Sequence, residues 1–177
     1  LNTYMNLQEI RHKTAYTANA QATYKAETRR FAHSIVQQYP IALTLTLKQT
    51  VVIENALGTY KRAINVDDCK ATAKRFMQKL NKQVFGNAAK RYNKTLDYIA
   101  VCEGLHSDKH LHLHMRIGTL PQHVKLNQIT SKIEKAKRLV KQIDTQFDVQ
   151  IADNGWTEYI TKEISKRNTD GIFFDLM

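Results

Sequence analysis

Leu96-Asp97-Tyr98-Ile99-Ala100-Val101-Cys102-Glu103, a short polar turn, then His110-Leu111-His112-Leu113-His114-Met115-Arg116: this stretch decides the fold. The first run is apolar and rich in strand formers, and the turn contains Gly104, Ser107 and Asp108. The second run alternates, so the two are expected to form an antiparallel hairpin. Successive strand side chains point to opposite faces. His110, His112, His114 and Arg116 therefore share one face, while Leu111, Leu113, Met115 and Ile117 point into a core. Three imidazoles and a guanidinium make a poor hydrophobic layer and a good platform for a cation and a phosphate.

The same reading extends in both directions. Ile41 to Lys48 alternates strictly, with Thr44, Thr46 and Lys48 on one face and Leu43, Leu45 and Leu47 on the other. Asp67 or Asp68 is expected to cap a helix running to about Phe85, with Ala71, Phe76, Leu80 and Val84 apolar and Gly86 beyond its end. Upstream, about Ala18 to Tyr39 reads as a helix with Phe31, Ile35 and Tyr39 at helical spacing, stopped by Pro40. Downstream, a helix is expected from about Gln122 to Ile143, with Ile129, Ile133, Ala136, Val140 and Ile143 inward and Lys132, Lys135, Arg138 and Lys141 outward. Phe147 to Ile151 reads as a strand. Asp153-Asn154-Gly155 then turns the chain into a last helix from Trp156 to about Lys166. The order strand–helix–strand–strand–helix–strand, plus one helix, predicts an α+β fold of the split βαβ type. It has a central antiparallel sheet flanked by helices, as in ferredoxin-like and RNA-recognition-motif proteins. Residues 1–40 are expected to form a helical extension and 41–177 the domain proper.

The chain has 27 Lys and Arg against 16 Asp and Glu, a net charge of +11. Such an excess favours polyanionic partners, nucleic acid first. No apolar run approaches the roughly 20 residues needed to cross a bilayer, and no secretory signal is visible, so no membrane role is expected. Cys69 and Cys102 lack CxxC spacing and read as reduced and intracellular. Leu1 in place of Met suggests a piece cut from something longer.

Two constellations carry chemistry. His112 and His114 can reach one cation from one strand face, and Glu103 at the end of the partner strand can add a carboxylate. Two nitrogens and a carboxylate leave positions open for a phosphate oxygen and water, which suits Mn²⁺ or Mg²⁺. A closed zinc site needs a fourth ligand, which His110 could supply. The plain alternative is a solvated histidine strand. On the last helix Trp156, Ile160 and Ile164 form the buried stripe, with Tyr159 at its border and Lys162, Glu163 and Lys166 on the same side. An interfacial tyrosine is common. Read as a nucleophile, a phenol with a pKa near 10 needs help, which Lys162 one turn on could give by stabilising the phenolate. Glu163 is a further candidate metal ligand. Thr44, Thr46, Lys48, Arg116 and Lys166, around these groups, are candidate DNA contacts. Arg29, Arg30, Lys61, Arg62, Lys74, Arg75, Lys90, Arg91, Lys94 and the outer face of the helix after Gln122 add a basic set suited to phosphates.

In their order these pieces resemble the HUH-superfamily endonucleases, the rolling-circle replication initiators of plasmids, phages and small single-stranded DNA viruses. Leu43-Thr44-Leu45-Thr46 is similar to the first family motif, an apolar strand containing Thr. His112-Leu113-His114 matches the second. His110-Leu111-His112 also fits, but the apolar continuation favours the later register. Glu103 takes the place of the acidic third ligand, spaced as in geminivirus initiators, and Tyr159-Ile160-Thr161-Lys162 matches the third motif. The resemblance covers about Ile41 to Lys166. It implies that Tyr159 attacks an origin or hairpin single strand, becomes linked to the 5′-phosphate and leaves a free 3′-hydroxyl, with Mn²⁺ or Mg²⁺ as cofactor. A single tyrosine, with Glu163 one turn on, points to the single-tyrosine branch.

No GxxxxGK[ST] motif occurs, so a host or fused helicase is the expected partner. The expected compartment is a bacterial cytoplasm, or a host nucleus if the replicon is viral. Within the superfamily a single-tyrosine transposase or mobilisation relaxase is the alternative. Outside it, a non-catalytic nucleic-acid module on an RNA-recognition-like sheet would need exposed aromatics on its central strands. A metal-storage or sensor protein is a fourth option.

Overall fold

The computed structural model describes residues 22–23, 25–27, 30, 40–104, 110–118, 120–162 and 171–173. Strand β1 (Ile41–Leu47) leads through β2 (Thr50–Asn55) and β3 (Gly58–Ala63) into helix α1 (Val66–Phe85) and the short helix α2 (Asn87–Arg91). Then come β4 (Tyr98–Glu103), β5 (His112–Ile117), α3 (Leu126–Arg138), β6 (Ile143–Ile151), α4 (Asn154–Thr161) and β7 (Ile172–Phe173). Residues 22–23, 25–27 and 30 are helical, inside the expected N-terminal helix, whose apolar positions Phe31, Ile35 and Tyr39 lie outside the described residues. Among the described residues no helix is long and apolar enough to cross a membrane.

Five strands form one antiparallel sheet in the order β6-β1-β5-β4-β7. The four strands expected from the sequence take the arrangement of a split βαβ unit, and β7 adds an edge beside β4. Strand alternation divides the residues between the two faces. Leu43, Leu45, Leu113, Met115, Ala100 and Cys102 are buried in one core with Phe76 and Leu80 of α1 and Ile129 and Ile133 of α3. Covering each such side chain contributes roughly 1.5–3 kcal/mol. Thr44, Thr46, His112, His114 and Glu103 lie on the opposite face, where α4 packs. The sheet thus separates a helical layer from a polar face. Both cysteines are buried, and neither is in a disulfide.

Several expected boundaries are corrected. The cap of α1 is Asn65, not Asp67 or Asp68. Asn65 stays extended and accepts from the Asp68 amide at 3.0 Å, while Asp68 accepts from the Asn65 amide at 2.9 Å. Helix α3 ends at Arg138, well short of Ile143, because the Leu139 amide turns back to the Ala136 carbonyl. Val140 and Ile143 extend the helical spacing of the apolar stripe, but Ile143 opens β6 opposite Leu47, and Phe147 and Val149 follow it towards the core. The hairpin of β2 and β3 was not anticipated. Its β-branched Val51-Val52-Ile53 and the Gly58 turn, at φ 124°, are a sequence signal for it. The last helix begins at Asn154 on an Asp153 cap rather than at Trp156, and Glu163, Ile164 and Lys166 lie outside the described residues.

Candidate active site

Register brings the polar face together. Antiparallel pairing sets Thr44 of β1 opposite His114 of β5, and Thr46 opposite His112. On the other side of β5, Glu103 stands opposite His112. The chain leaves β4 immediately after Glu103 through Gly104, whose φ of 100° suits glycine. Asp153 accepts a hydrogen bond from the Trp156 amide at 2.9 Å and so starts α4 where it can lie over this face. The edge of the His114 ring meets the Tyr159 ring at 5.0 Å between centroids, and Trp156 at 6.2 Å.

The hub is the Glu103 carboxylate, only 7 % exposed. Its Oε2 accepts from His114 Nε2 at 2.7 Å and from the Tyr159 hydroxyl at 3.1 Å. Its Oε1 pairs with Lys162 Nζ at 2.8 Å. The Lys162 ammonium also sits 3.4 Å from the centroid of the Tyr159 ring. A carboxylate only accepts, so Nε2 carries the imidazole proton here and Nδ1 accepts from the Thr44 hydroxyl at 3.0 Å. A hydroxyl can also accept. Thr44 can therefore hold the other tautomer, with Nδ1–H donating and Nε2 open to a ligand.

Burial is the largest single influence on Glu103 and would raise its pKa. The Lys162 bond, with charge from His114 and Lys162 and the Tyr159 bond, outweighs it and lowers the pKa from 4.5 to about 2. Burial pushes the His114 pKa below its ordinary 6.5, partly offset by Glu103. Burial opposes the charge on Lys162, but its bonds to Glu103 and Tyr159 win and raise it above 10.5. The folded-state pKa of Glu103 is depressed, so its stabilisation is present above 4.5 and lost as pH falls towards 2. The folded pKa of Lys162 is raised, so its share is present below 10.5 and lost above its folded value. Urea unfolding of the metal-free chain should therefore show a loss of stability below about pH 4.5 that Lys162→Met reduces. An equal loss in both proteins would mean that the pair contributes nothing.

The candidate residues are distributed unevenly. Glu103, His114, Tyr159 and Lys162 converge. His112 is partly exposed, stacked with its ring centroid 6.5 Å from that of His114. It lines a cleft of about 510 Å³ with Thr44, Thr46, Thr145, Gln146, Phe147 and Asp148. His110 precedes β5 and is exposed, so the expectation of a third imidazole on the strand is corrected. Lys48 is exposed just beyond β1. Arg116 is also corrected: it is fully buried at 0 % exposure, not part of an open platform, and the Asp153 charge helps to offset the burial of its guanidinium. Asp153 was missed. Its signal was the Asp-Asn-Gly helix start, but its neighbour Arg116 lies far away in sequence.

Among the described residues no three His, Cys, Asp or Glu side chains already stand in metal-holding geometry. The donor chemistry nevertheless fits a small divalent cation. Two ligands at right angles on such an ion are about 3 Å apart, close to the 2.7 Å between Nε2 and Oε2. Thr44 supplies the outer hydrogen bond that a metal-binding imidazole needs. His112 is the third donor within the same face.

No curated protein and no solved structure matches this chain. A model of the replication-associated protein ORF2 family matches residues 40–168, from the start of β1 to beyond Lys162. That span contains every converging group, and the chain belongs to the replication-associated protein ORF2 family.

Proposed function

We propose that this chain nicks and rejoins single-stranded DNA at a replication origin, through a covalent 5′-phosphotyrosine at Tyr159 and with Mn²⁺ or Mg²⁺, and so initiates rolling-circle replication. The observation that supports this most is the Tyr159 hydroxyl, on a residue 42 % exposed, bonded to the same carboxylate as His114 and Lys162. A nucleophile must be open to a strand, and the carboxylate and imidazole must be sheltered. The site combines both.

Glu103 orients the phenol oxygen. Lys162, over the ring, stabilises the phenolate as its proton leaves to solvent. The oxygen attacks phosphorus, the bond to the 3′-oxygen breaks, and that oxygen takes a proton from water to become the free 3′-hydroxyl. The phosphodiester is exchanged for a phosphotyrosine ester, so the reverse reaction can rejoin the strand without ATP. A divalent ion held by Glu103, His114 and His112 would polarise the phosphate and neutralise its charge. Thr44, Thr46 and the cleft beside His112 would carry the strand across the sheet.

The test is capture. A pool of 5′- and 3′-labelled single-stranded oligonucleotides with a randomised centre, with Mn²⁺, should give an adduct that survives denaturation and maps to Tyr159 through a 5′-phosphate. An adduct on another residue, or none from any pool, would refute the assignment.

A further inference from the structure

Residues 66–94 and 125–141, the helical layer with its caps and connections, contain 14 Lys and Arg against 3 Asp and Glu. Their net charge of +11 equals that of the whole chain. The remainder of the protein, candidate active site included, is neutral on balance. Two of the three acids are already engaged: Asp68 with Arg62 at 2.6 Å, and Glu134 with Arg138. Arg75, Lys79 and Lys82 of α1 and Lys135 and Arg138 of α3 are exposed, while the apolar stripes of both helices face the sheet. Tyr159, Glu103 and His114 lie on the opposite side of that sheet. The excess charge is therefore concentrated on the face turned away from the site where a single strand would react.

We infer that this outer face of α1, α2 and α3 is a second nucleic-acid surface and that its partner is duplex DNA. The inference rests on the reading above only for the identity of the polyanion. Three features favour a duplex. Helix α1 has 20 residues, about 30 Å at 1.5 Å per residue, and packs beside α3 at roughly 8–10 Å between axes. The result is a stiff basic face rather than a groove. A duplex carries about one charge per 1.7 Å, hence roughly 17 phosphates along such a face, of which about half can be turned to the protein. That density matches the exposed cations. A single strand, by contrast, is held by stacking on aromatic rings, and of the described Phe, Tyr and Trp residues on this layer only Tyr92 is largely exposed. Duplex flanking an origin could rest on the helices while the unpaired strand passes over the other face.

The experiment uses the full chain with Arg75, Lys79, Lys82 and Lys135 replaced together by alanine, its fold checked by circular dichroism. Anisotropy with a DNA duplex of about 30 base pairs, long enough to span the roughly 30 Å face several times over, the corresponding single strand and an RNA duplex is followed across a KCl series. Duplex DNA affinity should fall about tenfold or more, and the slope of log K against log salt should lose roughly three to four in magnitude. Single-strand affinity and adduct formation should stay within about twofold, since the substituted cations lie across the sheet from the site. An unchanged duplex affinity and slope overturns the proposal. So does an equal loss for the single strand, or equal binding of RNA duplex. Absence of any Tyr159 adduct would remove the nuclease reading and leave these binding results standing.

Discussion

Tyr159→Phe should leave the fold and single-strand binding nearly intact and lower covalent DNA capture by about 10⁴-fold or more, to the limit of detection. The ring keeps its edge contact with His114 and its place beneath Lys162. Only one hydrogen bond disappears, the 3.1 Å contact to Glu103, which still accepts from His114 and Lys162. The expected stability loss is about 0.5–1.5 kcal/mol. A phenyl ring has no oxygen to join to phosphorus, so chemistry and stability separate cleanly. Labelled oligonucleotide capture under denaturing conditions reads the first, and thermal unfolding the second. An adduct that persists in the variant identifies a different nucleophile. A variant that unfolds would instead assign the phenol a structural role.

Period-two alternation made the two faces of β1 and β5 legible, because a one-residue slip would bury threonine and histidine against the helices. The pairing of Glu103 with the histidine strand followed from the short connection between two apolar runs. What stayed hidden depended on contacts distant in sequence. His114 is tuned by Thr44 from a strand 70 residues earlier, and that bond exists only in the register where Thr44 faces His114. Arg116 read as a surface group because no local pattern shows that the Asp153 turn comes to lie near it. The end of α3 was misread for another reason: Val140 and Ile143 satisfy helical spacing and strand burial equally well. Asn65 lost to Asp67 and Asp68 as a cap because all three are good cap residues, and the choice depends on where the chain leaves β3.

Metal affinity should move in opposite directions in two variants of the hub. Glu103→Gln removes the only described carboxylate of the converging cluster, and Mn²⁺ binding should weaken by about 10²-fold or more. Lys162→Met removes a positive charge 2.8 Å from the oxygen a cation would use. At an effective dielectric near 20 the repulsion of a divalent ion at that distance would be several kcal/mol. The Lys162 side chain is about one-third exposed (32 %), so solvent screening reduces this to about 1.4 kcal/mol, or tenfold tighter binding. Strand cleavage should nevertheless fall in both. The glutamine variant loses the ligand and the phenol's partner, whereas the methionine variant loses the cation above the ring. Calorimetric or EPR titration of the chain with Mn²⁺ separates the cases without any DNA. If Lys162→Met binds Mn²⁺ no more tightly than the parent, the ammonium does not compete for the carboxylate. If the parent and both variants bind none, the Glu103–His114 pair is not a metal site, and the Tyr159 chemistry must be supported by Lys162 alone.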